Sequence, residues 1–445
     1  MTKQFVEARR LKGFQDQEPD VLAQRLHIIE TVRKVAREAC FQEISTPTLE
    51  FAEVLLGLGG ETEKQLFRFT DNGGRDVAMR FDLTVPFARY VAERHGRLTL
   101  PFKRMQVGDV WRAEKPQKGR YREFSQCDLD ILGSPSPFAD IEIILCLHSA
   151  LEKLIPMPFT ISCGQRNLLS FLLENTVGLK VGQQEKILIV LDKLHKIGEE
   201  AVTKILVEEL SFDRSRVATL LKVLTASQKD FGIFLSEFEQ VFKTSLETKE
   251  VWEQQLCTME TLQSLTKGSH GKIVFDLSVV RGLAYYTGIV FETTVDGMSD
   301  FGSVCSGGRY DELCNRFLPV AYPGVGGSIG VDRLLALLLE HPTGLKPSVQ
   351  RFFVAVASDQ NFAYALTVVK VLRKLGLSVD LPMKWQKLSQ QFKYADKMGA
   401  TWVLTVGQEE EESETYALKD MVQGTEDKNL DFFSIEGELK KRGLV

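Results

Sequence analysis

Seven side chains that could handle a charged substrate lie close together between positions 112 and 130. Arg112, Glu114, Arg120, Arg122, Gln126, Asp128 and Asp130 flank a short loop, 115–119, that contains Pro116 and Gly119. Two strand-forming runs around such a loop predict a β-hairpin. Side chains on a strand alternate faces, so if Glu114 faces Arg120, then Arg112 faces Arg122. All seven then share one face. The other face carries Trp111, Tyr121, Cys127, Leu129 and Ile131, with Glu123 near the loop. A lone Arg–Glu pair would read as a solvated surface contact. Here the charges run on into a segment ending in Leu129, Ile131 and Leu132, and charge embedded in apolar strand points to a site.

Three further stretches offer chemistry. Asp82 and Thr84, on either side of Leu83, supply an anion and a hydroxyl that could cradle an ammonium group. They could equally cap a helix starting near Pro86, and the residues alone leave both open. Arg281 stands between Val280 and Gly282 in an apolar run and needs a partner. Tyr285 and Tyr286 follow it, and Tyr286, Gly288, Val290 and Glu292 have one parity, although Tyr285, Tyr286 and Phe291 would also suit sheet packing. A glycine-rich run over 323–334 ends at Arg333. It has neither P-loop nor dinucleotide-binding spacing. Gly307 and Gly308 would let backbone approach a ligand closely or make a turn.

The 445 residues are 44% hydrophobic, enough for a large core and two or three domains. Net charge is -5 and the pI about 5.9, so any nucleic-acid contact must rest on local basic patches. Seven cysteines without paired spacing read as buried thiols in a reducing compartment, with no zinc signature. The N-terminal residues lack the apolar run of a signal peptide, and no run reaches membrane-spanning length. A cytoplasmic location is expected.

These residues need elements to position them. Pro19 opens a helix with Leu22, Leu26, Ile29, Val32 and Val35 at helical spacing. A strand over 41–50 follows, with Pro47 marking an edge or break. An amphipathic helix is predicted over 140–154, and a mostly helical region over about 164–268, where His195 reads as a surface residue. Residues 340–347 read as a linker. Beyond them, strands over 352–357, 377–380, 401–406 and 415–418 alternate with helices over 360–375 and 389–398. This predicts a small α/β domain with a mixed sheet, with 408–414 as an acidic loop. Lys384, Lys387, Lys393 and Lys397 form a modest basic group.

The segment with Arg112-Ala113-Glu114 and Arg120-Tyr121-Arg122-Glu123-Phe124 resembles motif 2 of class II aminoacyl-tRNA synthetases. Its loop, with Gln126 and Asp130, is similar to that of the histidyl-tRNA synthetase family, as are the stretches RGLAYYTG from Arg281 and SGGRYDEL from Ser306. The chain departs from the family's usual pattern at Ala284 and Glu312. The resemblance covers essentially the whole chain. It implies an α+β fold: a class II catalytic domain with an antiparallel sheet over 1–340, a helical insertion at about 164–268, a linker at 341–350 and an anticodon-binding α/β domain over 351–445. The first helix, the strand after it and Pro47 would form the homodimer contact.

The same resemblance implies that L-histidine and ATP, with Mg²⁺, give histidyl-adenylate, whose acyl group passes to tRNA(His). Arg112 and Arg281 would take the α-phosphate and carboxylate, and Arg333 the γ-phosphate. Glu114 would meet the adenine amino group, with Arg120 also at ATP. Asp82, Leu83 and Thr84, helped by Gln126, would hold the α-amino group. Asp130 and Tyr286, beside Tyr285, would read the imidazole. The loop 115–119 would face the acceptor stem. Two other readings are a regulatory paralogue that lacks the last domain and a non-catalytic tRNA sensor. The segment from Arg351 onward argues against the first, and Arg112, Arg281 and Arg333 against the second.

Overall fold

Pro19 sits in the first turn of the helix Pro19–Glu38, where its missing N–H costs nothing. That helix buries Ile28, Ile29, Val32, Val35 and Ala36. The stripe continues to Leu26 and Leu22, which are 52% and 36% exposed, so only its C-terminal half is core. The computed structural model describes residues 6–56, 65–180, 183–229, 246–280, 286–341 and 351–441. The chain divides into two compact units, Met1–Gly344 and Leu345–Val445.

The strands of the first unit, in chain order, are β1 (Gln42–Glu43), β2 (Leu49–Phe51), β3 (Arg68–Thr70), β4 (Asp76–Met79), β5 (Phe102–Trp111) and β6 (Glu123–Leu132). They continue with β7 (Phe159–Gln165), β8 (Gly271–Phe275), β9 (Ile289–Val295), β10 (Cys305–Arg309) and β11 (Gly324–Gly330). The single strand expected over 41–50 is two short ones, β1 and β2, separated around Pro47, which cannot donate to a ladder. Eight strands form one sheet in the order β1-β5-β6-β11-β10-β9-β7-β8. Its two edge pairs, β1–β5 and β7–β8, are parallel, and every other pair is antiparallel. A small sheet, β2-β4-β3, lies beside it in the same unit.

The hairpin β5–β6 keeps the register read from the sequence. Trp111 faces Glu123 and Gly108 faces Gln126, and beyond the ladder the Arg112 N–H donates to the Arg122 carbonyl at 2.8 Å. The helix Pro137–Leu154 begins three residues before the expected start and is buried on most sides rather than one. It packs closely behind the sheet, where a Cβ on Gly327 would lie 2.5 Å from Leu147. Between β7 and β8 the described residues are mostly helical, from Arg166–Val177 to Leu246–Leu265.

The second unit holds β12 (Arg351–Val356), β13 (Ser378–Asp380), β14 (Trp402–Val406), β15 (Tyr416–Asp420) and β16 (Glu426–Leu430). They form a five-stranded sheet in the order β13-β12-β14-β15-β16. The β13–β12–β14 part is parallel and the rest antiparallel, so the sheet is mixed. Phe352, Val354, Val356, Leu404 and Leu418 pack one face, and Phe353, Ala355 and Val403 the other. Residues 408–413 are a helix, Gln408–Ser413, and not a loop. The Glu410 carboxylate accepts the Gly407 N–H at 2.8 Å, and acids in a first turn favour the helix dipole.

Candidate active site

The site is built on one face of the eight-stranded sheet, as two rows of facing residues. One row runs Arg104, Asp130, Gly326, Gly308, Val290 from β5 to β9. The next runs Gln106, Asp128, Ser328, Ser306, Glu292. Charged side chains from β5 and β6 thus meet glycine and serine on β10 and β11. The glycines make the room: a Cβ on Gly326 would fall 2.0 Å from Asp130 Oδ1.

Two chambers open over these rows. The first, of about 200 Å³, is lined by Asp82, Thr84, Arg112, Gln126, Asp128, Asp130 and Tyr286, with Tyr310 and Phe291. The second, of about 250 Å³, is lined by Arg112, Glu114, Arg120, Phe124 and Arg333, with Gly119 and Gly330. Arg112, Gln126, Ser306 and Ser328 line both. Arg112 therefore stands where a group in one chamber would meet a group in the other. Its Nε donates to the Phe81 carbonyl at 3.0 Å and its guanidinium lies 5.1 Å from the Phe124 ring centre.

Of the two readings that the sequence left open for Asp82, the structure shows the cap and leaves the second oxygen of the carboxylate for a ligand. Its Oδ1 accepts the Val85 N–H at 3.1 Å, which caps the helix Thr84–Arg94. Its Oδ2 is buried without a hydrogen-bond partner, in the lining of the first chamber. Burial raises its carboxyl to about 6, against the Val85 N–H and the nearby Arg112 charge. A cation placed there would restore the charged form.

Asp130 is 2% exposed, and of its two oxygens only Oδ1 is hydrogen-bonded. Its Oδ1 takes the Tyr310 hydroxyl, and Oδ2 lies 2.9 Å from Arg104 Nε. Arg104 is fully buried on β5, stacks 4.4 Å from the Phe87 ring and donates to the Leu83 carbonyl at 3.2 Å. Leu83 is thus a support for Arg104, and its side chain is core. Asp128 lies two residues before Asp130, 3% exposed, with Oδ2 3.7 Å from Arg104 Nη2 and Oδ1 without a hydrogen bond. Burial raises the Asp128 carboxyl to about 7, opposed by Arg104 and reinforced by Asp130. Gln126 donates to the Ser328 hydroxyl at 2.7 Å.

In the second chamber Glu114 and Arg120 approach to 4.0 Å, and Arg333 donates to the Ser303 carbonyl at 2.5 Å. Arg333 begins the helix Val331–Glu340 with Asp332, whose Oδ2 accepts the Ser125 N–H at 2.6 Å. Arg25, from the first helix, lies 3.5 Å from Asp332 and 3.0 Å from Asp109 on β5. This brace fixes the helix carrying Arg333 against both hairpin strands. Arg281 and Tyr285 lie outside the described residues. Sequence reading placed Asp128 on the charged face without giving it a role, and missed Arg104, Tyr310 and Ser328 as site-forming residues. For Arg104 and Asp128 the signal was present, since both share the parity of Asp130.

Among the described residues, no group of three or more His, Cys, Asp or Glu side chains could hold a metal ion, and no helix is long and apolar enough to cross a membrane. Residues 13–334 match the family model for histidyl-tRNA synthetase, and residues 351–442 that for an anticodon binding domain. A histidine–tRNA ligase of Treponema denticola is 40% identical over 441 residues, 95% of this chain and 96% of that protein. One from Helicobacter pylori is 38% identical over 424 residues, 93% and 94% of the two chains. The crystal structure of histidyl-tRNA synthetase from Nostoc sp. PCC 7120 superposes with a TM-score of 0.87 at 28% identity, covering 98% of this chain and all of that one. An ATP phosphoribosyltransferase regulatory subunit/histidyl-tRNA synthetase from Bacillus halodurans shares the fold, with a TM-score of 0.74 at 22% identity over 91% and 99% of the chains. Two adjoining chambers on an antiparallel-rich sheet, a family match over residues 13–334 and relatives at this identity agree: the chain belongs to the histidyl-tRNA synthetase family.

Proposed function

We propose that this chain is a histidine–tRNA ligase that activates L-histidine with ATP and transfers the histidyl group to the 3′ end of tRNA(His). The observation that carries the reading is the shared position of Arg112 between the two chambers. An amino acid in the first would bring its carboxylate to the α-phosphate of ATP in the second beside this one cation. Negative charge builds on the phosphate oxygens as the carboxylate attacks, and a fixed guanidinium stabilises it without the reorganisation water needs. Asp82 and Thr84 hold the α-ammonium, with Gln126 beside them. Asp130 and Tyr286 lie at the ring end.

Glu114 and Arg120 receive the adenine end of ATP, and Arg333 its γ-phosphate. Mg²⁺ would enter with ATP, carried by the phosphates. Arg281 is assigned opposite Arg112 from its sequence context. The second unit reads the anticodon, and the helices between β7 and β8 help hold the acceptor arm. A homodimer is supported by Leu22, Leu26, Leu49 and Phe51, exposed apolar residues on the first helix and β2. The absence of a membrane-crossing helix among the described residues fits a cytoplasmic enzyme.

The test is histidine-dependent ATP–diphosphate exchange, followed by charging of tRNA(His). Exchange stimulated by histidine and by no other amino acid is expected. A chain that binds ATP and histidine but shows no exchange would overturn the catalytic reading.

A further inference from the structure

We infer that Gly13 and Phe14, in the N-terminal segment, are positioning residues for the adenine side of the second chamber, and that they act through Arg122. The inference rests on ATP lying in that chamber. The β5–β6 ladder ends at Trp111 and Glu123, yet Arg112, Glu114, Gly119, Arg120 and Tyr121 beyond it all line the second chamber. A hairpin stem that has left its sheet needs other partners for its backbone. On one side the Ala113 N–H donates to the Gln65 carbonyl at 2.8 Å, and on the other the Arg122 N–H donates to the Gly13 carbonyl at 2.8 Å. Across the stem the Arg112 N–H donates to the Arg122 carbonyl. The rings of Phe14 and Phe67 meet edge to face, with centres 6.2 Å apart, and join the two flanking segments. The stem is thus held in a closed collar of backbone bonds and one ring pair.

The two flanks differ in what backs them. The Phe67 carbonyl accepts the Met79 N–H at 2.9 Å, so that flank is tied to β4. The N-terminal flank, over the described residues 6–18, belongs to no strand. It is a turn, closed by the Phe14 N–H on the Leu11 carbonyl at 3.2 Å. Gly13 is the third residue of that turn and has a φ of 90°, which suits glycine. A Cβ there would also lie 2.8 Å from Arg122 Cγ and 2.9 Å from Pro116 Cγ. Arg122 in turn donates from Nε to the Glu114 carbonyl at 3.1 Å. Gly13 therefore fixes Arg122, Arg122 fixes Glu114, and Glu114 is the side chain assigned to the adenine. The amino-acid side is held by other means. Asp128 and Asp130 lie within the β5–β6 ladder, and Arg112 has a second tether in the Phe81 carbonyl. The collar sets the ATP wall and leaves the histidine wall to the sheet.

The experiment measures histidine-dependent ATP–diphosphate exchange in the full-length protein and in Gly13→Ala, Phe14→Ala, Phe67→Ala and the double variant of the two phenylalanines. Gly13→Ala is expected to raise the ATP KM by about 10-fold or more, since a misplacement of about 1 Å at a positioned group can cost ~10²-fold. The histidine KM should stay within about threefold of native, and the melting temperature should match that of the native chain. Each phenylalanine variant should raise the ATP KM by about 3–10-fold, and the double variant no further, because either deletion opens the same contact. Phe14→Leu, which keeps an apolar contact with Phe67, should recover most of the loss. If Gly13→Ala is too strained to fold, the phenylalanine variants give the same reading. A native ATP KM in the folded variants, or ATP and histidine KM rising together as the melting temperature falls, overturns the inference. So does a double variant whose loss is the product of the two single losses. Failure of the native chain to bind ATP would instead overturn the reading of the second chamber on which it rests.

Discussion

At the candidate site of the first unit, Arg104, Asp128 and Asp130 are each at most 3% exposed, and buried oxygens of Asp82, Gln126, Asp128 and Asp130 have no hydrogen-bond partner. On the five-stranded sheet of the second unit, buried polar groups are fully used. Gln391 exchanges two hydrogen bonds of 2.8 Å with the Val356 backbone and donates a third to Gln386. Asn361 binds Ser358 and Glu411, and Asp420 accepts from Val422 and Gln423. Among the described residues, no buried side-chain nitrogen or oxygen of the second unit lacks a hydrogen bond. Desolvating polar atoms without partners costs free energy, so a chain tolerates it where a ligand will supply the missing partner. The first sheet gives up stability to hold a site, and the second keeps its polar groups for the fold.

That contrast can be broken most sharply at Arg112. Arg112→Ala should lower histidine-dependent exchange by about 10²–10³-fold, the scale of losing one preorganised charge stabiliser. Its thermal melt should stay close to native. A large fall in melting temperature with a modest fall in rate would make Arg112 scaffold, like the polar groups of the second unit.

Gln391→Ala is the opposite case and the next in size. Loss of its buried backbone contacts should destabilise the second unit by about 1–3 kcal/mol. Denaturant melts should show this while exchange keeps its native rate. Exchange falling in step with stability would show that the two units do not divide the work in this way.

The smallest effect is a pH dependence. The Asp82 carboxyl titrates near 6 in the folded protein, above its ordinary value of 3.8. Stability from the raised value is fully present below the unfolded pKa and is lost as pH rises through about 6. Asp82→Asn removes the charge but keeps an oxygen for the Val85 N–H. In the ligand-free state the variant's stability advantage should therefore grow by on the order of 1 kcal/mol between pH 5 and pH 8. A difference that is flat with pH would remove Asp82 from the set of strained acids.

The hairpin shows how far sequence could carry this. Parity alone placed Arg112, Gln126, Asp128 and Asp130 on one face, because a strand has only two faces and the loop sets the register. It could not say which acid was already compensated. That depends on Arg104 and on Tyr310, which lies 180 positions beyond Asp130. Leu22 and Leu26 fitted the helical stripe and still stayed exposed, since periodicity finds a face but not what covers it. The acidic residues 408–414 suggested solvated loop, but four of them form the start of a helix whose cap comes from Glu410 itself. Proline at 47 was legible as a break because its effect is local.

Glycine is paired with glycine across β10 and β11, Gly307 facing Gly327 and Gly308 facing Gly326. This block forms the floor between the charged hairpin and β9. Side chains around a ligand usually lose rotamer freedom when it binds, and that loss subtracts from affinity. Gly307, Gly326 and Gly327, which line the first chamber, have no rotamers to lose, and their backbone is already fixed by the ladder. An amino acid in the first chamber would settle on a surface that was ordered at the time of folding, and the ordering cost of recognition would fall on the few side chains of the walls.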